Sequence, residues 1–305
     1  MKPEFTGSAL SIEEQIALLE RQGLTIEDRD KAIRILSNVS YSRLKSYLIP
    51  LMADRATHRF REGATFDDAY TLYGFDRRLR ELIFHEMEKV EISLRTRIAY
   101  AYSGAEKGYW YANPDWFRDP KEHKDIIRKI TNDFERSDNE SLKRFREKYS
   151  NPLPPCWMAL EASSMGTLAI IYDAMSYSPL KKGIADWYSL STEDLSSWMF
   201  HLVWIRNQCA HHNRLWNRTL EQLPNIPIRP KKHFPPQNEK SASHIYITLC
   251  VIKYLQDTVK PGNTFAERLK TLLDNYPRID PALMGFPRDW RDDPLWNSKT
   301  DNGED

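Results

Sequence analysis

A chain of 305 residues, 41% hydrophobic and 29% charged, has the makeup of an ordinary globular protein, long enough for one large domain or two and for a core that needs no staples. Its formal net charge of +1 excludes a global electrostatic pull on nucleic acid, so RNA affinity has to come from local patches. Cys156, Cys209 and Cys250 are too few and too far apart for a disulfide framework, and no C-x-x-C spacing suggests zinc. A reducing cytoplasm is the expected compartment. No apolar h-region opens the chain, and apolar runs such as 168–172 are too short to span a bilayer, so no membrane partner is expected. Neither G-x-x-x-x-G-K-[ST] nor G-x-G-x-x-G occurs, and no cofactor is expected.

In chain order the periodicity is helical. Ser11 and Glu14 spell a capping box for a first helix reaching about residue 20, and Gly23 ends it. A second helix is predicted near 26–36. A long amphipathic pattern over 75–102 places Leu79, Leu82, Ile83, Met87, Val90, Leu94 and Ile98 at three-four spacing. A charged helix over 122–149 follows, and Asn151-Pro152-Leu153-Pro154-Pro155 breaks the chain. Further helices are predicted over 157–175 and 192–217, the latter opened by Ser191 and Asp194. Five prolines between 223 and 237 predict an extended, semi-rigid connection. Helices over 243–259 and 264–275 then form a pair too small to stand alone. No segment alternates strictly, so strand content should be low. The fold class is all-α. The expected organisation is a helical domain over 1–223, a Pro-rich connection over 224–237, a C-terminal helical pair over 238–290 packed on the main domain, and a tail over 291–305, partly disordered.

The helix predicted over 192–217 ends in Arg206-Asn207-Gln208-Cys209-Ala210-His211-His212-Asn213-Arg214-Leu215-Trp216-Asn217-Arg218. Histidine exchanges protons near neutral pH and arginine forks onto phosphate oxygens, so the segment can handle a phosphate and a proton together. Continued helix would put Asn207, His211, Arg214 and Arg218 in one stripe, with Arg206 roughly 140° from His211. That divergence predicts a homodimer whose two motif helices face each other and whose second copy completes the site; the alternative is a monomer in which basic residues of the 75–102 helix complete it. Cys209 beside His211 and His212 is the one grouping with metal-ligand chemistry. Carboxylates at ligand spacing are missing there, and adjacent histidines leave a helix on different faces, so no metal site is expected. On the long helix, Glu91 and Arg95 are four apart and can pair; the plain reading is a surface ion pair.

Arg206-Asn207-Gln208-Cys209-Ala210-His211 resembles the R-N-x-x-x-H motif of HEPN ribonucleases. The run through Arg218 resembles the bacterial Abi family of abortive-infection proteins, in its AbiD/AbiF-like group. Four other stretches share that likeness in family order: Tyr41-Ser42-Arg43-Leu44, the run from Leu72 to Arg80, the run from Glu91 to Tyr100, and Met284-Gly285-Phe286-Pro287-Arg288-Asp289-Trp290. One departure from the toxin branch is Asn213, where a tyrosine would stand two residues after the histidine.

The resemblance implies a HEPN-like helical bundle with additional N- and C-terminal helices and a metal-independent endoribonuclease. The ribose 2′-OH would attack the adjacent phosphorus, His211 would move the proton, Arg206 would hold the scissile phosphate, and Asn207 would position the imidazole or the ribose. It raises the alternative that Glu91 orients Arg206, with His212 as further support. Arg77, Arg78, Arg80, Arg95, Arg97, Arg214 and Arg218 are the expected RNA contacts. Lys143, Arg144, Arg146 and Lys148 form another basic run, and Arg229, Lys231, Lys232 and His233 a third. The partners implied are an RNA substrate and an RNA or protein antitoxin that restrains the enzyme. The alternatives are a catalytically silent helical RNA-binding module and a protein-interaction adaptor.

Overall fold

The computed structural model describes residue 4, residues 8–102 and residues 108–297. The disorder expected at the extreme C-terminus falls on 298–305, outside the described residues. The chain forms an all-α helical bundle with minor strand content. It divides into two compact units, Met1–Leu79 and Arg80–Asp305.

In the first unit, α1 (Ile12–Arg21) opens with the expected capping box: Glu14 N–H donates to Ser11 Oγ, and Ser11 N–H to Glu14 Oε2. Gly23, at φ +93°, turns the chain after it. Asp28 caps α2 (Arg29–Asn38) and Ser40 caps α3 (Tyr41–Leu48). An antiparallel hairpin follows, β1 (Met52–Asp54) with β2 (Arg59–Phe60). Thr65 and Asp68 bond reciprocally through side chains and backbone N–H groups, which starts α4 (Phe66–Ala101) nine positions before the periodicity predicts. Tyr47 Oη donates to fully buried Asp76 at 2.6 Å, tying α3 to α4.

The second unit contains the rest of α4, then α5 (Pro120–Arg136), α6 (Glu140–Lys148), α7 (Cys156–Ala162), α8 (Met165–Ala174), α9 (Pro179–Trp187), α10 (Thr192–Ala210), α11 (Glu239–Ser243), α12 (Ile245–Val259) and α13 (Phe265–Asp274). Helix α10 packs on α8, α9 and α12, and α5 on α7 and α8. Every residue of α12 from Ile245 to Gln256 is buried, the mark of a helix at the centre of a core. Buried Glu86 of α4 holds Arg268 of α13 and, at 2.8 Å, Lys89, while its carbonyl accepts from Gln256 of α12. The C-terminal helices are therefore integral to this unit.

Three predicted helices are shorter or split. The 122–149 pattern breaks at Ser137, because Asn139 accepts from Ser141 N–H and starts a new helix. Arg146 donates to the carbonyls of Phe134 and Ser137, closing the end of α5. The 157–175 pattern breaks at Ser163, and Ser164 recaps α8 through Thr167 N–H. The 192–217 helix stops at Ala210, so Arg214 and Arg218 do not continue the helical stripe. Helices α3 and α9 carry cap signals at Ser40 and Ser178-Pro179 that periodicity over short windows does not expose.

Gly285 follows a 3-10 turn at φ +89°, and a Cβ there would lie 2.8 Å from the Lys240 carbonyl and 3.0 Å from Ser241 Cα, both backbone atoms. Gly285→Ala is expected to destabilise the protein by at least ~1–2 kcal/mol, measured as a lowered midpoint in chemical denaturation.

Candidate functional site

Helix α10 is rigidly housed. Ser191 Oγ accepts from Asp194 N–H at its start, and Leu195, Trp198, Met199, Leu202 and Ile205 are buried along its length. His201, fully buried, accepts from Thr248 of α12 at Nε2 and donates from Nδ1 to the Gln222 carbonyl. Burial pushes its imidazole down to about 4, so the neutral tautomer with hydrogen on Nδ1 satisfies both partners. Trp198 Nε1 donates to Asn225 O, and its ring packs on Phe234 and Tyr254. The Pro-rich stretch is thus pinned to α10 by hydrogen bonds.

The last turn of α10 is open. Asn207, Ala210, His211, His212 and Asn213 are exposed. The helix ends in a Schellman motif: His212 N–H donates to Cys209 O at 3.0 Å and Asn213 N–H to Gln208 O at 2.9 Å. His212 holds the left-handed position, at φ +56°. Arg80 of α4, itself buried, donates to Asn213 O at 3.3 Å. Gln208 Oε1 accepts from Asn213 Nδ2 and from Arg218 Nη1.

Arg206 leaves this turn toward α4. Its Nε lies 3.4 Å from Glu91 Oε2, and its guanidinium 5.8 Å from the Phe84 ring centroid. The other oxygen of Glu91 accepts from Arg95 at 2.9 Å, and Arg95 also donates to the Leu160 and Ser163 carbonyls at the end of α7. A cleft of about 330 Å³ opens here, lined by Phe84, Glu88, Glu91, Arg95, Glu161 and Arg206 among others. The Glu91–Arg95 pair of the sequence reading is present, and Glu91 contacts Arg206 as well. No hydrogen bond or ion pair joins Arg206 to His211 among the described residues.

The remaining arginines differ in availability. Arg77 and Arg78 are exposed at the end of the first unit. Arg80 and Arg95 are enclosed and bonded to carbonyls as described, and Arg97 stacks on Trp187 at 3.2 Å. Arg218 is held by Gln208, by Glu221 at 2.6 Å and over Trp204; Arg214 is partly exposed. Lys143, Arg144 and Arg146 are occupied by Asp138, Glu140 and the α5 carbonyls. Lys231, Lys232 and His233 contact Asp186, Thr258 and Asp293. The sequence reading did not single out Phe84 or Glu161, which lie near the motif only through tertiary packing, and gave Gln208 of the motif no role of its own. Among the described residues no cluster of three or more His, Cys, Asp or Glu is arranged to hold a metal ion, and no helix is long and apolar enough to cross a membrane.

These features define a helical protein with an Arg-Asn-His turn presented at the end of a buried helix. The family model described as Abi-like protein matches residues 34–217, more than half of the chain, and the chain belongs to that family. No curated protein and no solved structure matches it.

Glu91→Ala leaves the largely enclosed Arg95 without its carboxylate and is expected to cost about 1–3 kcal/mol, read by thermal or chemical denaturation. An unchanged midpoint would show that Glu91 adds nothing to the packing. His201 gives a second expectation. Between its ordinary value of 6.5 and its folded value of about 4, the unfolded chain binds a proton that the folded chain does not. Its contribution to stability is therefore full above pH 6.5 and is lost as the pH falls toward 4. His201→Gln, which cannot titrate, should be less stable than the parent at about pH 8 and lose less stability across that window. Parallel pH profiles for the two proteins would reject this.

Proposed function

We propose that this protein is a metal-independent HEPN-type endoribonuclease of the AbiD/AbiF-like group, acting in the cytoplasm in anti-phage abortive infection or as a toxin under an RNA or protein antitoxin. The observation that carries the reading is the open turn itself: Arg206 oriented by Glu91, with Asn207 and His211 exposed on the same turn of a rigidly housed helix. A HEPN-like reading of the bundle goes with it. Arg206 stabilises the negative charge that builds on the scissile phosphate. His211 moves a proton at the 2′ or 5′ oxygen, and Asn207 positions the imidazole or the ribose. Arg214 contacts a flanking phosphate. The homodimer implied by the divergence of Arg206 and His211 belongs to the same reading. Its contact is the open last turn of α10, since α8, α9 and α12 pack against that helix.

A second reading, a catalytically silent interaction module, draws on one specific observation. The cleft beside Arg206 carries Glu88, Glu91 and Glu161 against Arg95 and Arg206, an acidic excess that disfavours phosphate there.

Incubating the purified protein with mixed RNA in EDTA separates the two. The nuclease is expected to leave 5′-OH and 2′,3′-cyclic phosphate ends. Arg206→Ala and His211→Ala should each lower the rate by on the order of a hundredfold or more, and relieve growth inhibition on expression in a bacterial host. Retention of RNA without cleavage supports the module. Cleavage by a folded double variant at the parent's rate would remove the motif from the chemistry.

A further inference from the structure

Transfer of phosphorus from O5′ to O2′ needs two proton-handling groups. One accepts the proton of the 2′-OH as the O2′–P bond forms, and the other donates a proton to O5′ as the P–O5′ bond breaks. His211 can fill one role. The second is unassigned in the reading above, on which this inference rests.

The backbone singles out its neighbour. Among the described residues, only His58, Ser189, His212 and Asn217 hold positive φ without being glycine. His212 occupies the position after the cap of α10, where glycine fits without strain and a side chain costs about 1 kcal/mol. Such conformations persist where the surroundings over-determine them, and they concentrate at working sites. This turn is held from several directions. Arg80 reaches Asn213 O from α4 at 3.3 Å. Gln208 Oε1 takes Asn213 Nδ2 at 2.9 Å and Arg218 Nη1 at 3.0 Å. The backbone N–H groups of His211, His212 and Asn213 are all spent on helix carbonyls, so the turn offers no backbone nest for an anion and any chemistry rests on its side chains. Between His211, at φ −85°, and His212, at φ +56°, the chain changes hand. That change takes the second side chain off the helical path. Both residues are exposed on this one turn, and the change of hand sends their side chains in different directions.

We propose that His212 is the second proton-transfer residue, so that a single chain carries both the acid and the base. One imidazole enters neutral and leaves protonated; the other enters protonated and leaves neutral. The products are a 2′,3′-cyclic phosphate and a 5′-OH, and proton exchange with water restores the pair. A homodimer then brings the Arg206 of its second copy to an acid–base pair carried by one chain, since Arg206 turns to Glu91 on its own chain.

The test uses full-length protein, a single-stranded RNA oligonucleotide and its analogue with a bridging sulfur at the scissile 5′ position, whose thiolate leaves without protonation. His212→Gly suits the left-handed backbone, so it is expected to melt at or above the parent's temperature while its cleavage of ordinary RNA falls by on the order of a hundredfold. His212→Asn, also tolerant of that backbone, should behave alike. The sulfur substrate should restore the rate of one of His211→Ala and His212→Gly, the one lacking the acid, and leave the other slow. Parent-like cleavage by His212→Gly, with Arg206→Ala and His211→Ala inactive, overturns this proposal and leaves the ribonuclease reading standing. Rescue of both variants, or of neither, also overturns it. Recovery of activity on mixing His211→Ala with His212→Gly chains assigns the two histidines to different subunits and rejects the single-chain site. Absence of cleavage by the parent protein rejects the ribonuclease reading itself, and this proposal with it.

Discussion

One carboxylate sets the geometry of the candidate site. Glu91 of α4 gives one oxygen to Arg95 and the other to Arg206. Arg95 in turn holds the carbonyls that end α7, so Glu91 joins three helices at once. A flexible arginine at the end of α10 would otherwise sample many rotamers, and ordering it on substrate would cost entropy. The contact with Glu91 limits that freedom in advance, and the Phe84 ring beside the guanidinium limits it further. The arrangement also places the arginine next to acid groups, Glu88 and Glu161. The same contacts that orient Arg206 therefore oppose an incoming phosphate.

Behind this turn lies a set of buried polar anchors with defined partners. His201 joins α10 to Thr248 of α12 and to Gln222. Lys181 gives its ammonium to the carbonyls of Asp173 and Met175 at the end of α8, and burial pushes its pKa down. Glu86 gathers Arg268 and Lys89. Apolar packing alone tolerates sliding of one helix along another; a buried polar pair does not, because displacement leaves a desolvated group unpaired. Among these, His201 holds α10 at a fixed height relative to α12, and so helps fix where its last turn emerges.

The electrostatics of the chain follow the same economy. Counted along the sequence, the basic runs suggest several phosphate-binding strips. In the fold most of these side chains close helix ends or meet carboxylates. Arg146 caps α5, Lys231 meets Asp186, and Arg97 lies on Trp187. A cation already bonded to carbonyls exchanges that partner for a phosphate at little net gain, so a basic run in sequence is a poor guide to a binding surface.

Helix content, the capping box at Ser11 and Glu14, the apolar stripe of α4 and the Arg206–His211 cluster were all legible in the sequence, because each rests on local spacing. Membership of the Abi-like family was legible in the stretches between Tyr41 and Asn217, which the family match over 34–217 covers; the stretch Met284–Trp290 lies beyond that match. The end of α10 was not. Residues through Arg218 have acceptable helical periodicity, and the stop at Ala210 comes from carbonyls satisfied by a left-handed histidine, a turn that Arg80 buttresses from 133 residues away in sequence. Nor could spacing decide between Glu91 as an ion-pair partner of Arg95 and as a support for Arg206. It touches both, because the Arg206 side chain reaches from the end of α10 to α4. Local pattern determined which residues carry chemistry. Tertiary structure decided which of them are spent on holding the fold, because hydrogen-bond satisfaction of buried groups is a property of neighbours in space.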